Sequence, residues 1–151
     1  MRALIQRVSS AGVTIPEDDY SVRTGKGLVV LLGVKFTDTE ADAIYLADKT
    51  VSLRIFSDVE GKMNLSVRDI EGEVLVVSQF TLYGDGSKGN RPSFSESAKP
   101  PLAIPLYEKY IRRLRDLLGD DKVKTGIFGA MMSVEIINDG PVTIMLESKN
   151  P

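Results

Sequence analysis

The chain has 151 residues, 42% of them apolar, with 19 basic against 21 acidic side chains for a net charge of -2. That fits one globular domain over residues 1–151, burying about 70% of its unfolded surface. The sequence contains no Cys and no His, which excludes disulfides, thiolate nucleophiles, Cys or His zinc sites and Ser-His or Cys-His catalytic pairs. The near-balance of charge speaks against holding nucleic acid by bulk electrostatics. There is no apolar run long enough to span a bilayer, nor a charged-then-apolar leader, so a cytoplasmic protein is expected, with no membrane or DNA partner, no metal and no cofactor.

In chain order, Ala3 to Val8 and Gly12 to Ile15 read as two strands, and Gly27 to Val34 as a third, its continuous apolar run marking burial on both faces. A helix is predicted from about Asp38 to Leu53, capped by Thr37 with Glu40 and buried through Ile44, Ala47 and Val51. Leu53 to Phe56 reads as a short strand and Gly61 to Asn64 as an exposed connection. Glu73 to Thr81 is the clearest strand, built on Val74 to Val77. From Tyr83 to Pro101 the chain turns to Gly, Ser, Lys, Asn and Pro, a long loop for a compact domain and hence a functional or mobile one. Leu106, Tyr110, Leu114, Leu117 and Leu118 then form a helical stripe, with Pro105 near its start and Gly119 past its end. Lys122 to Phe128, Met131 to Ile137 and Val142 to Glu147 complete an α+β domain, mostly antiparallel and barrel-like, with two main helices.

Four features are candidates for chemistry. Gly84 to Gly89 fits G-x-G-x-x-G, but Asn90, Arg91, Pro92 and Ser93 continue a loop where a nucleotide fingerprint would open a helix. Its glycines suit close approach to a partner, with Lys88 and Arg91 as phosphate ligands. Arg112, Arg113 and Arg115 lie off the apolar stripe, either as a solvated basic face or as a phosphate-contacting patch. Ser78-Gln79-Phe80-Thr81 ends the buried strand in polar residues beside the long loop. A Ser or Thr nucleophile there would need a base that only a carboxylate or Lys can supply, whereas backbone N–H groups stabilise an oxyanion without one. Finally, Asn138-Asp139-Gly140-Pro141-Val142 reads as a hairpin turn, or as a backbone device if its X-Pro bond is cis.

Taken together, Ser78-Gln79-Phe80-Thr81-Leu82 and Asn138-Asp139-Gly140-Pro141-Val142-Thr143 resemble the paired signature motifs of the D-aminoacyl-tRNA deacylases. Met1 to Val8, Gly25 to Gly27, Leu31 to Val34, Leu53 to Phe56, Gly61 to Asn64, Arg91 to Phe94 and Gly126 to Ala130 match in the same order. Pro16 to Ser21 and Ser97 to Pro105 are less family-like and are expected to touch no site. The resemblance implies a homodimer that hydrolyses D-aminoacyl-tRNA, and glycyl-tRNA, at the ester to the 3′-terminal adenosine. It implies that N–H groups of Phe80 and Thr81 polarise the carbonyl, that Ser78 and Gln79 shape the pocket, and that the ribose 2′-OH assists water. It further implies that Gly140-Pro141, with a cis bond, reaches into the partner's site to reject L substrates, that Arg7 braces that loop, and that Met132 packs beside the pocket. The rival readings are a non-catalytic tRNA- or RNA-binding module and a Ser or Thr esterase for small substrates.

Overall fold

The computed structural model describes residues 1–149. The strands are β1 (Arg2–Ile15), β2 (Tyr20–Thr24), β3 (Gly27–Gly33), β4 (Phe56–Ser57), β5 (Met63–Leu65), β6 (Glu73–Ser78), β7 (Val123–Thr125) and β8 (Ser133–Glu147); the helices are α1 (Glu40–Ser52) and α2 (Pro100–Leu118). Three 3-10 turns, Pro16–Asp18, Phe80–Tyr83 and Asp120–Lys122, join them.

The two strands expected in the first fifteen residues are one. β1 runs unbroken because β8 pairs along almost its full length, from Arg2 opposite Glu147 to Thr14 opposite Ser133. Its other edge is shared: β3 takes Arg2 to Val8, and β2 takes Ala11 to Ile15. Met63–Leu65 is likewise a strand, paired with β4.

The domain is α+β with two main helices, and its sheet is mixed. β1 is antiparallel to β2, β3 and β8, whereas β3, β6 and β7 are mutually parallel neighbours. Parallel neighbours require long crossovers, and α1 and α2 supply them. This also explains the continuous apolar runs of β3 and β6, since alternate residues serve two cores. Leu28, Val30, Leu32, Val74 and Val76 face both helices. Val29, Leu75 and Val77 face the opposite way, against Val8, Val13 and Ile15 of β1. Between the helices, the buried hydroxyls of Thr50 and Tyr110 meet at 2.8 Å.

α1 starts two residues later than predicted. Its N-cap is Thr39, whose N–H donates to the Asp42 carboxylate at 2.8 Å, in place of the Thr37/Glu40 box. Asp38 is turned inward, accepting the Lys35 N–H at 2.6 Å and pairing with Lys149 at 3.3 Å. α2 starts at Pro100, five residues before Pro105, because Pro100 and Pro101 sit where helical N–H groups have no partner anyway.

The Gly-Pro segment is not a hairpin turn. Both of its flanks pair with β1 in the same direction, Asn138 opposite Val8 and Thr143 opposite Gln6. Asp139 to Val142 therefore stand opposite Arg7 alone, as an excursion within a single strand.

Candidate active site

β6 ends earlier than expected, at Ser78. The Gln79 N–H still donates to Leu32 O at 2.8 Å, and the chain then winds into the 3-10 turn Phe80–Tyr83. That turn is fixed from behind by β3, by β1 and by the approach to α2. On β3, Gly33 leaves it room: a Cβ there would meet Leu82 Cβ at 3.1 Å and Gln79 O at 3.2 Å. From β1, Arg2 donates to Leu82 O at 2.9 Å and lies 4.5 Å from the Tyr83 ring centroid, its Nε paired with Glu147 of β8 at 2.7 Å. Ahead of α2, Ser97 donates to Phe80 O at 2.9 Å.

The Gln79 side-chain amide donates to the Thr81 hydroxyl, which ties the two polar side chains to each other. The N–H groups of Phe80 and Thr81 stand at the head of the turn, where a helical turn offers its own donors no acceptor. Among the described residues, neither donates a turn or loop hydrogen bond to a backbone carbonyl.

The turn opens onto a cavity of about 340 Å³. Ser78, Gln79 and Phe80 form one wall, Ala103 and Tyr107 of α2 another, and the segment Phe128 to Met132 a third. No lining residue is a carboxylate, Lys or Arg. Tyr107 is the one titratable group there, and burial pushes its phenol well above the usual range, so the cavity offers no general base near neutral pH. Met132 is placed by Gly126, because a Cβ at that position would come 2.4 Å from the Met132 sulfur.

Arg7, Gly140 and Pro141 lie elsewhere. Arg7 Nε donates to Asp139 O at 3.0 Å and Nη1 to Ile55 O at 2.7 Å, and its side chain is only 13% exposed. Gly140 has φ +124°, and a Cβ on it would meet Arg7 Nη2 at 3.0 Å. The Gly140-Pro141 bond is cis. Both residues are exposed, and neither lines the cavity of its own chain.

The full-length signature seen in the sequence is matched in kind: residues 4–147 fit the family described as D-Tyr-tRNA(Tyr) deacylase. The chain belongs to this deacylase family. It is 53% identical to the D-aminoacyl-tRNA deacylase of Bacillus velezensis, covering 99% of both chains, and 55% identical to that of Cytophaga hutchinsonii with the same coverage. Its fold superposes on the solved structure of a c-Myc DNA Unwinding Element Binding Protein with TM-score 0.92 and 40% identity, over 99% of this chain and 100% of that one.

Within this deacylase scaffold the predicted residues fall into two groups. Ser78, Gln79, Phe80 and Met132 line one cavity, with Thr81 linked to it through Gln79, while the exposed Gly140-Pro141 stands apart on the largely buried Arg7. The expectation that Ser97 to Pro105 touch no site is overturned. Ser97 holds the Phe80 carbonyl, and Ala98 and Ala103 line the cavity, admitted by their small size. Phe128 to Ala130 were visible only as part of a family-like block. The helical arginines are already engaged: Arg112 with Asp116 at 3.1 Å and Asp120 at 2.7 Å, Arg113 with Asp48 at 2.7 Å, and Arg115 with the Val123 carbonyl at 3.1 Å. No helix is long and apolar enough to cross a membrane, and no metal-holding acidic cluster occurs among the described residues.

Proposed function

We propose that the chain hydrolyses the ester joining a D-amino acid to the 3′-terminal adenosine of tRNA, and accepts glycyl-tRNA as well. The observation that carries this reading is the deacylase-family Ser78–Thr81 turn opening onto a cavity without a general base. Water adds to the ester carbonyl carbon while the N–H groups of Phe80 and Thr81 hold the negative charge that builds on oxygen. The C–O bond to the ribose then breaks, and the proton lost by water ends on the departing 3′-oxygen, with the neighbouring 2′-OH assisting. An activated ester that brings its own hydroxyl suits a chain with neither His nor Cys.

Selection against L substrates falls to Gly140-Pro141 acting across a homodimer. Three features support this: both residues are exposed, both lie outside their own chain's cavity, and Arg7 fixes the excursion that carries them. A backbone device rejects well because no side-chain rotamer relaxes around the wrong enantiomer. Glycine has nothing to reject. As part of translation quality control, the protein acts in the cytoplasm.

Matched D-, L- and glycyl-tRNA, incubated with the protein and followed for deacylation, test the reading. Loss of the D and glycyl esters with the L ester intact is expected. Tight tRNA binding without cleavage would favour a non-catalytic RNA-binding module, and rapid cleavage of simple esters lacking the 2′-OH a small-substrate esterase. Thr81→Ala should retain most turnover, since the donor is backbone; abolished turnover with intact binding would favour a hydroxyl nucleophile.

A further inference from the structure

Resting on the deacylase reading, we propose that the segment from Asp85 to Lys99 is the RNA-binding margin of the cavity. The nucleotides preceding the terminal adenosine lie along it, with their phosphodiesters on Lys88, Arg91 and Lys99. The argument begins with which cations are free. Arg112 and Arg113 are neutralised by Asp116, Asp120 and Asp48. Among the described residues, Lys88, Arg91 and Lys99 have no carboxylate within salt-bridge distance. Of the segment's own acids, Glu96 is paired with Lys35 at 3.5 Å, which leaves three free cations against the single charge of Asp85, itself held by the Ser87 N–H at 2.9 Å. A polyanion approaching it therefore meets a net excess of positive charge.

The same segment is fastened to the cavity. Asp85 and Ser93 exchange two backbone hydrogen bonds, of 2.7 and 2.8 Å, and so close the loop that carries Lys88 and Arg91. Phe94 then packs edge-on against Phe80, with ring centroids 5.2 Å apart, and Ser97 holds Phe80 O. Both rings remain partly exposed, Phe80 at 56% and Phe94 at 37%. Aromatic faces beside free cations are what single-stranded RNA uses, bases stacking while phosphates pair. A Cβ on Gly86 or Gly89 would meet nothing within 4 Å, so the loop tip has open space for a strand to approach. Pro100 and Pro101 have no N–H to offer, so at the start of α2 it is the Lys99 side chain that receives an anion.

The test is the Lys88→Ala/Arg91→Ala double variant, assayed on D-aminoacyl-tRNA and on D-aminoacyl-adenosine, which carries the same ester and no phosphate. KM for the tRNA should rise about tenfold or more at physiological salt, and the log–log salt dependence should flatten by about 1.4, two single-strand phosphates' worth. Turnover of the adenosine ester should stay within about twofold, and Arg112→Ala/Arg113→Ala should move neither substrate by more than that. Unchanged KM for the tRNA, an equal loss on both substrates, or a larger loss from the helical pair would overturn the proposal. Fluorescence anisotropy with a single-stranded RNA ending in CCA reads the salt slope without cleavage. If the unmodified protein cleaved neither ester yet bound this RNA through Lys88 and Arg91, the deacylase reading alone would fall.

Discussion

The turn at Phe80–Tyr83 and the excursion at Asp139 to Val142 are both short backbone devices, but they are held in opposite ways. The turn is over-determined: β1, β3 and the approach to α2 all fix it from behind, and it faces a cavity of its own chain. The excursion hangs on one side chain, Arg7, and faces outward. A group that must stabilise charge benefits from rigid, redundant support. A group that must meet a second molecule has to project, and its support is necessarily one-sided. Under the proposed function, the rigid turn would be the charge-stabilising part and the projecting excursion the discriminating one.

The contrast can be broken first at Gly140. Gly140→Ala combines an unfavourable positive φ with contact against Arg7, so deacylation of the D substrate should fall by about 100-fold, or its preference over L should collapse. An unchanged D-to-L ratio at full rate, measured with matched tRNAs, would remove the discriminating role. On the cavity side, Gly126→Ala drives Met132 from its seat. KM should rise by about tenfold, as expected for an overpacked wall, with the melting temperature lowered. Ser97→Ala frees the Phe80 carbonyl and should cost about fivefold in kcat, close to 1 kcal/mol, with the D-to-L ratio preserved. A change in the ratio would mean that the two regions are not separate.

The smallest effect on catalysis should come from Asp42, which touches neither region. Burial opposes its charge, but hydrogen bonds from Thr39, Ser148 and Lys149 hold its pKa down to about 2, below the ordinary 3.8. A depressed folded value means stabilisation that is present above the unfolded pKa and lost as pH falls through about 2. Asp42→Asn should cost on the order of 2 kcal/mol in urea unfolding near neutral pH, a difference that closes toward about pH 2, with turnover unaltered.

Local periodicity made α1, α2 and the core of β6 legible, since each carries its apolar pattern within its own residues. What escaped were relations between distant segments. The continuity of β1 depends on β8, more than a hundred residues away, and the outward excursion looked like a hairpin because only the partner strand distinguishes the two. The α1 cap was misplaced because Thr37/Glu40 and Thr39/Asp42 both fit the pattern, and the inward turn of Asp38 decides between them. At the candidate site, Ser78 to Thr81 stood out by polarity and resemblance. Ala98 and Ala103 act by being small, and a short side chain leaves no mark in one sequence. The neutralisation of Arg113 by Asp48 was hidden for the same long-range reason.

The ladder between β1 and β8 fixes chain length on both sides of Arg7, but between Asn138 and Thr143 no rung counts residues. Apart from one further register shift between Val8 and Ser10, the excursion is the free interval in a metered strand. Reach and tip composition there are adjustable by insertion or deletion without shifting a single side chain of the sheet to its other face. Arg7 is the fixed post around which such variation would turn. If the excursion discriminates as proposed, a lineage built on this scaffold has a place to retune what it refuses while leaving untouched what it cleaves.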